Sequence, residues 1–267
     1  MYSIGIIGIG GRMGRMLLHE TLNRDDCRIA GGTERPGSPL IGTPLSELDR
    51  RAPADAVIGD DTEALFEKAD VVIDFTIPAA TVANAAIAAR LGKAMVIGTT
   101  GFSSEEEKSV EEAASSAPIV KAGNMSLGVN LLVQVTRQVA RALDLDFDAE
   151  IVEMHHRHKI DAPSGTALML GRAVAEGRGQ DHDTVAVRGR DGITGERPRG
   201  AIGYAALRGG NVVGDHTVIF AADNERIELT HKAADRAIFA RGALHAALWL
   251  KDRGPGLYSM ADVLGLR

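Results

Sequence analysis

Ile4-Gly5-Ile6-Ile7-Gly8-Ile9-Gly10-Gly11-Arg12-Met13-Gly14 decides how the rest of this chain folds. Its opening residues form a short apolar run, as expected of a parallel strand buried on both faces. The glycines let the backbone turn tightly, and Arg12 to Leu22 then reads as a helix with Met13, Met16, Leu17 and Leu22 on one side. Strand, glycine turn and helix in that order make the first unit of an open α/β sheet.

The following residues repeat the unit. Arg28 to Thr33 is a strand ending at Glu34-Arg35, and Pro36 to Pro53 is a loop with at most a short helix over Leu45 to Arg50. Val57-Ile58 reads as a short strand and Thr62 to Lys68 as a short helix. Val71 to Phe75 and Ala94 to Ile97 are strands, each followed by a helix, Pro78 to Leu91 and Ser104 to Ser115, and Ile119-Val120 closes the series. The prediction is a Rossmann-like, doubly wound parallel sheet of the α/β class.

After Asn124 the pattern changes. Leu131, Leu132, Val135, Val139 and Leu143 follow a helical stripe, with Asn130, Gln134, Arg137, Gln138 and Arg141 opposite. Ala149 to Met154 reads as a strand and Ser164 to Glu176 as a helix. Thr184 to Arg188, Ala201 to Leu207, Val212 to Ala222 and Arg226 to Lys232 are strand-like. Ile227, Leu229 and His231 alternate with polar neighbours, which gives that last strand one buried face. Several strands in a row predict a second, α+β domain with a mixed or antiparallel sheet. Asp235 to Leu250 is a long helix, and Ser259 to Leu264 a short one.

The chain has 267 residues, 45 % apolar and 25 % charged, with a formal net charge of −6. That balance offers no basic field for nucleic acid. Cys27 is the sole cysteine, so no internal disulfide forms. The first residues carry neither a basic leader nor a long apolar run, so no signal peptide or membrane span is expected and the cytoplasm is the default compartment.

The glycine turn is spaced for a phosphate. Gly8, Gly11 and Gly14 form G-x-x-G-x-x-G, and Met13 stands where the commonest dinucleotide fingerprint has glycine. A ligand-free strand-to-helix turn is the plain alternative. Context favours a nucleotide: Glu34 lies about 20 residues beyond Gly14, placed to accept hydrogen bonds from ribose hydroxyls. Arg35 beside it suits a 2′-phosphate, so either NADH or NADPH fits. Gly98-Thr99-Thr100-Gly101, Phe75-Thr76 and Ala122-Gly123-Asn124-Met125 all end strands on the edge where such sheets bind ligands.

Chemistry of another kind is concentrated in Glu153-Met-His-His-Arg-His-Lys-Ile-Asp-Ala-Pro-Ser-Gly-Thr166. Histidine as a side-chain type is suited to acid–base work, so His155 can pass a proton to a substrate receiving hydride. The Lys159 ammonium can hold a carboxylate or supply a proton. Fully extended, the two would lie roughly 13 Å apart, and a bend after Arg157 would bring them closer. The helix start at Ser164, Gly165 and Thr166, with His156 near it, suits a substrate carboxylate; Ser164 equally suits a helix cap. No metal is expected, because Arg157 and Lys159 would oppose one. His158 reads as part of a solvated edge.

These stretches resemble the 4-hydroxy-tetrahydrodipicolinate reductase (dihydrodipicolinate reductase) family. The resemblance rests on Gly8 to Gly14, Val72-Ile-Asp-Phe-Thr76, Val96-Ile-Gly-Thr-Thr-Gly-Phe102, Asn124-Met-Ser-Leu-Gly-Val-Asn130 and above all His155 to Thr166. Gly195-Glu-Arg197, Gly214-Asp-His-Thr217 and Glu228-Leu-Thr-His-Lys232 extend it over essentially the whole chain. It implies reduction of a cyclic dicarboxylate with loss of water, by NADH or NADPH, on the diaminopimelate route to lysine. His155 would be the acid-base residue and Lys159 a proton donor, with His156, Gly165 and Thr166 on the substrate. Gly8, Ile9, Gly10, Gly11, Arg12, Met13, Glu34, Arg35, Gly98, Thr99, Thr100, Ala122, Gly123, Asn124 and Met125 would line the cofactor. It further implies a nucleotide domain of residues 1–125 and 235–267, a substrate and assembly domain of 126–234, and a homotetramer. The rival readings are another dehydrogenase of a keto or imino acid, and a nucleotide-sensing regulator without catalysis.

Overall fold

The computed structural model describes residues 1–266, which divide into two units: Met1–Ser126 with Ala237–Gly265, and Leu127–Arg236 with Leu266. In the first unit the chain runs β1 (Tyr2–Ile7), α1 (Arg12–Leu22), β2 (Cys27–Thr33), α2 (Thr62–Lys68), β3 (Val71–Asp74), α3 (Pro78–Leu91), β4 (Ala94–Ile97), α4 (Ser104–Ala114) and β5 (Pro118–Lys121). The second unit holds α5 (Leu127–Ala142), β6 (Asp148–His155), α6 (Gly165–Gly177), α7 (His182–Val185), β7 (Ala186–Val187), β8 (Ile202–Arg208), β9 (Gly214–Ala221) and β10 (Arg226–Ala233). The chain then returns to the first unit with α8 (Ala237–Trp249), β11 (Gly256–Tyr258) and α9 (Met260–Val263).

The first sheet has the order β11-β5-β4-β3-β1-β2, and all its pairs are parallel. Its strands are nearly continuous apolar runs because both faces are covered: Ile4, Ile6, Val71, Val72, Ile73, Met95, Val96 and Ile97 are fully or almost fully buried. The strand order reverses between β1 and β3. Right-handed crossovers therefore place α1 on one face and the later helices on the other. Consistent with that, α1 packs with α8 while α2, α3 and α4 pack in series. The reversal also opens a crevice beyond the carboxyl ends of β1 and β3.

In the second unit the sheet order is β10-β9-β6-β8-β7, with β6 parallel to β8 and antiparallel to β9. The sheet is thus mixed, as its sequence pattern predicts. β6 alternates strictly, burying Ala149, Ile151, Glu153 and His155. Two apolar residues and two ionisable ones share that inward face.

Some local expectations fail. The stripe on α5 is rotated: Val129, Leu132, Val133, Thr136 and Ala140 are buried while Leu131 is exposed, because packing against α6 and β10 overrides the pattern of apolar residues. The strand expected over Thr184 to Arg188 is met only at Ala186–Val187, the two-residue β7; Thr184 and Val185 end α7, whose Asp181 side chain caps Asp183 N. Val57 makes a single bridge to Pro44. β11, three residues beside a Gly-Pro-Gly stretch, is an edge strand too short to read from pattern. No helix among the described residues is long and apolar enough to cross a membrane.

Candidate active site

The glycine turn is built by its backbone. Gly8 takes φ +69°, and its N–H and that of Ile9 donate to Thr33 O at 2.8 and 3.2 Å. A β-carbon at Gly14 would stand 2.2 Å from Gly8 O and 2.5 Å from Ile9 Cα, so only glycine lets α1 start this close to the loop. Gly11 is the N-cap of α1 and offers no side-chain cap; the first-turn N–H groups face outward with the helix dipole behind them. Glu34 leaves the end of β2 and accepts from Gly10 N–H at 2.7 Å. Arg12 and Arg35 are exposed and Met13 half-buried.

The neighbouring strand ends crowd the same edge. Thr76 lies beside Gly8, Phe75 lies against Gly98, and Gly123 approaches Thr100. A fully buried carboxylate, Asp74, organises this edge by accepting from Thr76 N (2.8 Å), Thr76 Oγ1 (2.6 Å) and Asn84 Nδ2 (2.8 Å). The Thr81 hydroxyl donates to that of buried Thr99 at 2.8 Å. Ala122 N–H donates to Ile97 O, and Asn124 Oδ1 accepts from Ser126 N at 2.8 Å. Met125 is buried. A tight glycine turn, a helix start without a side-chain cap and a carboxylate beside it suit the pyrophosphate and ribose of a dinucleotide.

In the second unit, β6 ends at His155 and the chain turns at once, with Lys159 N–H donating to His156 O at 3.1 Å. The fully extended spacing between His155 and Lys159 is therefore excluded. Glu153, 1 % exposed, lies at the centre. His155 Nδ1–H donates to its Oε2 at 2.6 Å, and Ser164 N–H to its Oε1 at 3.1 Å. Arg208 closes a fork on both oxygens at 2.7 and 2.8 Å and donates to Asp161 O at 2.6 Å. Burial alone would raise the Glu153 pKa, but the Arg208 and His155 hydrogen bonds hold it below the usual carboxylate range.

Ser164 caps α6. Its Oγ accepts from Ala167 N at 3.1 Å, so its hydroxyl proton is free to donate to His216 Nε2, 2.9 Å away. Burial and the nearby His155 push His216 down to about 4, so it is neutral. Gly165 and Thr166 N–H lie in the same helix start. Lys159 Nζ pairs with both oxygens of exposed Asp161 at 2.8 Å; a surface pair of this kind is worth about 0–1 kcal/mol and exchanges readily for another carboxylate. His156 is lowered by burial and by Arg236, whose guanidinium donates to His156 Nε2 at 3.2 Å. The neutral ring therefore carries its proton on Nδ1, which is buried without a partner. A buried donor without a partner, within electrostatic reach of Lys159, suits an anion. His158 is exposed.

Glu153, Arg208, His216 and Arg236 carry no role in the sequence reading. Glu153 alone had a local signal, an acid two residues before His155 and hence on the same strand face. The other three reach the site from residues 208, 216 and 236 through sheet pairing and the closing turn.

Comparisons agree over both units. Residues 2–125 match the family model described as dihydrodipicolinate reductase, N-terminus, and residues 128–264 match its C-terminal counterpart. The chain is 57 % identical over 263 residues to the 4-hydroxy-tetrahydrodipicolinate reductase of Dinoroseobacter shibae, covering 98 % of each. It is 56 % identical to the protein of that name from Rhodopseudomonas palustris, covering 98 % of this chain and 96 % of the relative. Among solved structures it is similar to a dipicolinate-bound dihydrodipicolinate reductase from Paenisporosarcina sp. TG-14, with a TM-score of 0.76, 26 % identity and 98 % of each chain covered.

Proposed function

The chain belongs to the dihydrodipicolinate reductase family, and from that premise we propose how its residues divide the work. The reaction is the reduction of 4-hydroxy-tetrahydrodipicolinate to tetrahydrodipicolinate, with loss of water, in diaminopimelate and lysine biosynthesis. A reduced nicotinamide nucleotide, when bound, supplies the hydride. Gly8 to Met13 and the start of α1 hold its pyrophosphate and Glu34 its ribose, while Gly98 to Thr100 and Ala122 to Met125 line the nicotinamide end. Glu34 serves NADH, and exposed Arg35 accommodates the 2′-phosphate of NADPH.

The substrate is a small dicarboxylate. Gly165 and Thr166 N–H, the His156 Nδ1–H and Lys159 take its negative charge, and Ser164 holds the helix start in place. His155 donates the proton that accompanies hydride addition, and Lys159 is a second proton source. The observation that carries this reading is that one buried carboxylate, Glu153, touches both His155 and Ser164, which ties the proposed proton donor to the helix start that would bind the anion. The protein acts in the cytoplasm as a homotetramer assembled through the mixed sheet, a reading that rests on the family pattern.

The test is a spectrophotometric assay of nucleotide oxidation with freshly formed cyclic substrate. His155→Gln is expected to lower kcat by about 10²- to 10⁴-fold with little change in KM. Unchanged turnover would remove His155 from the mechanism.

A further inference from the structure

We infer that Glu153 is a positioning residue for proton transfer: held ionised by Arg208, it fixes the His155 imidazole with Nδ1–H bound inward and Nε2 as the atom that gives up the proton. The inference rests on the assignment of His155 as proton donor, and goes beyond it by naming the atom and what selects it.

Three contacts define the ring. Glu153 Oε2 takes Nδ1–H at 2.6 Å. His216 stands edge-on with its centroid 5.0 Å away. On the remaining edge a β-carbon at Gly214 would press on Nε2 from 3.0 Å and on Cδ2 from 3.4 Å; glycine keeps that edge clear of a side chain. The carboxylate cannot rotate away. Ser164 N–H and Arg208 both donate to Oε1, and Arg208 also donates to Oε2. A carboxylate accepts only, so neutral His155 must keep its proton on Nδ1. In the reactive state the imidazolium carries a proton on each nitrogen. The Nε2–H bond breaks as that proton passes to the substrate, the Nδ1–H stays on Glu153, and solvent water restores the lost proton.

Glu153→Gln tests this because the amide has a forced orientation. Two obligate donors, Ser164 N–H and Arg208 Nη2, point at the Oε1 position and only one, Arg208 Nη1, at Oε2, so the amide oxygen settles at Oε1, where it meets the larger number of donors. Its NH2 then faces Nδ1 and drives the neutral ring to the Nε2–H form. A wrong tautomer of a catalytic histidine is costly: kcat is expected to fall by about 10²- to 10⁴-fold with KM little changed. The charges around His155 are Glu153 on its own strand, Arg208 on β8, His216 on β9, and His156, Lys159 and Asp161 in the following turn. Removing the negative one disfavours imidazolium, so the alkaline limb of kcat against pH moves down by about one unit or more in E153Q. Arg208→Gln removes a positive charge and moves the limb up.

The experiment combines these pH profiles with long-range ¹H–¹⁵N spectra of histidine-labelled protein, His155 being assigned by its loss in His155→Gln. The inference requires Nδ1–H in the neutral wild-type ring, Nε2–H in E153Q and limbs displaced in opposite directions by the two variants. An unchanged tautomer in E153Q, or limbs displaced the same way, overturns it even if activity drops. If E153Q does not fold, the limb and tautomer in Arg208→Gln decide alone: an upward limb with Nδ1–H retained supports it, an unmoved limb overturns it. Wild-type protein that oxidises no nucleotide with the cyclic substrate, yet shows the Glu153-dependent tautomer, would sink the assigned reaction and leave the positioning role standing.

Discussion

Gly14→Ala adds one methyl where backbone already stands. The new β-carbon would lie 2.2 Å from Gly8 O and 2.5 Å from Ile9 Cα. Carbon and carbonyl oxygen rest at roughly 3.3 Å, so the loop and the start of α1 must separate by roughly 1 Å. Neither atom is the end of a flexible side chain, so the movement falls on the turn proposed to seat the pyrophosphate. Overpacking of this kind costs about 1–3 kcal/mol, and at 1.4 kcal/mol per decade the affinity for either reduced nucleotide should fall about 5- to 150-fold. The assay is fluorescence titration of NADH and NADPH into the protein, with thermal unfolding of the ligand-free chain measured alongside. Gly59→Ala is the control, since its added methyl would meet nothing nearer than 3.9 Å. Wild-type affinity together with wild-type unfolding in Gly14→Ala would refute the claim that this contact shapes the nucleotide loop.

Three further outcomes are expected. Glu34→Ala should weaken NADH about 10- to 150-fold, in line with a charged hydrogen bond worth about 1.5–3 kcal/mol, while Arg35→Ala should weaken only NADPH; equal effects on both cofactors, read by competitive titration, would dismiss the division of labour. Asp74→Asn turns one of a fully buried acceptor pair into a donor facing Thr76 or Asn84, and urea unfolding should show a loss of about 1–3 kcal/mol. His216 binds its proton near pH 4 when folded but near 6.5 when unfolded. Its lowered value means that its contribution is complete above about pH 6.5 and is lost as pH falls towards 4, on the order of 3 kcal/mol in total; stability measured from pH 7 to 4 should flatten in His216→Gln, and an unchanged slope would count against a buried neutral ring.

The sequence by itself determined what local chemistry can express. The parallel sheet was legible because β1, β3 and β4 are buried on both faces and so are largely apolar, Ser3 and Asp74 being the polar exceptions, with glycine or proline punctuating each connection. The glycine turn and the His155 to Thr166 stretch were legible because their residues are contiguous, and a helix start needs only its own cap. Where distant surfaces compete, pattern was silent or misleading: α5 turned its Leu131 outward once α6 and β10 took the other face. The environment of His155 was beyond local reading altogether. Arg208 lies 55 residues from Glu153, and His216 52 from Ser164. They meet because β8 and β9 flank β6 in a register that sets His155 against Arg208 and Glu153 against His216. A shift of one residue would turn those side chains to the other face of the sheet. The candidate residues for the chemistry are written in the chain, but the buried groups that bond to His155 and Ser164 are chosen by strand register, a property of the assembled sheet.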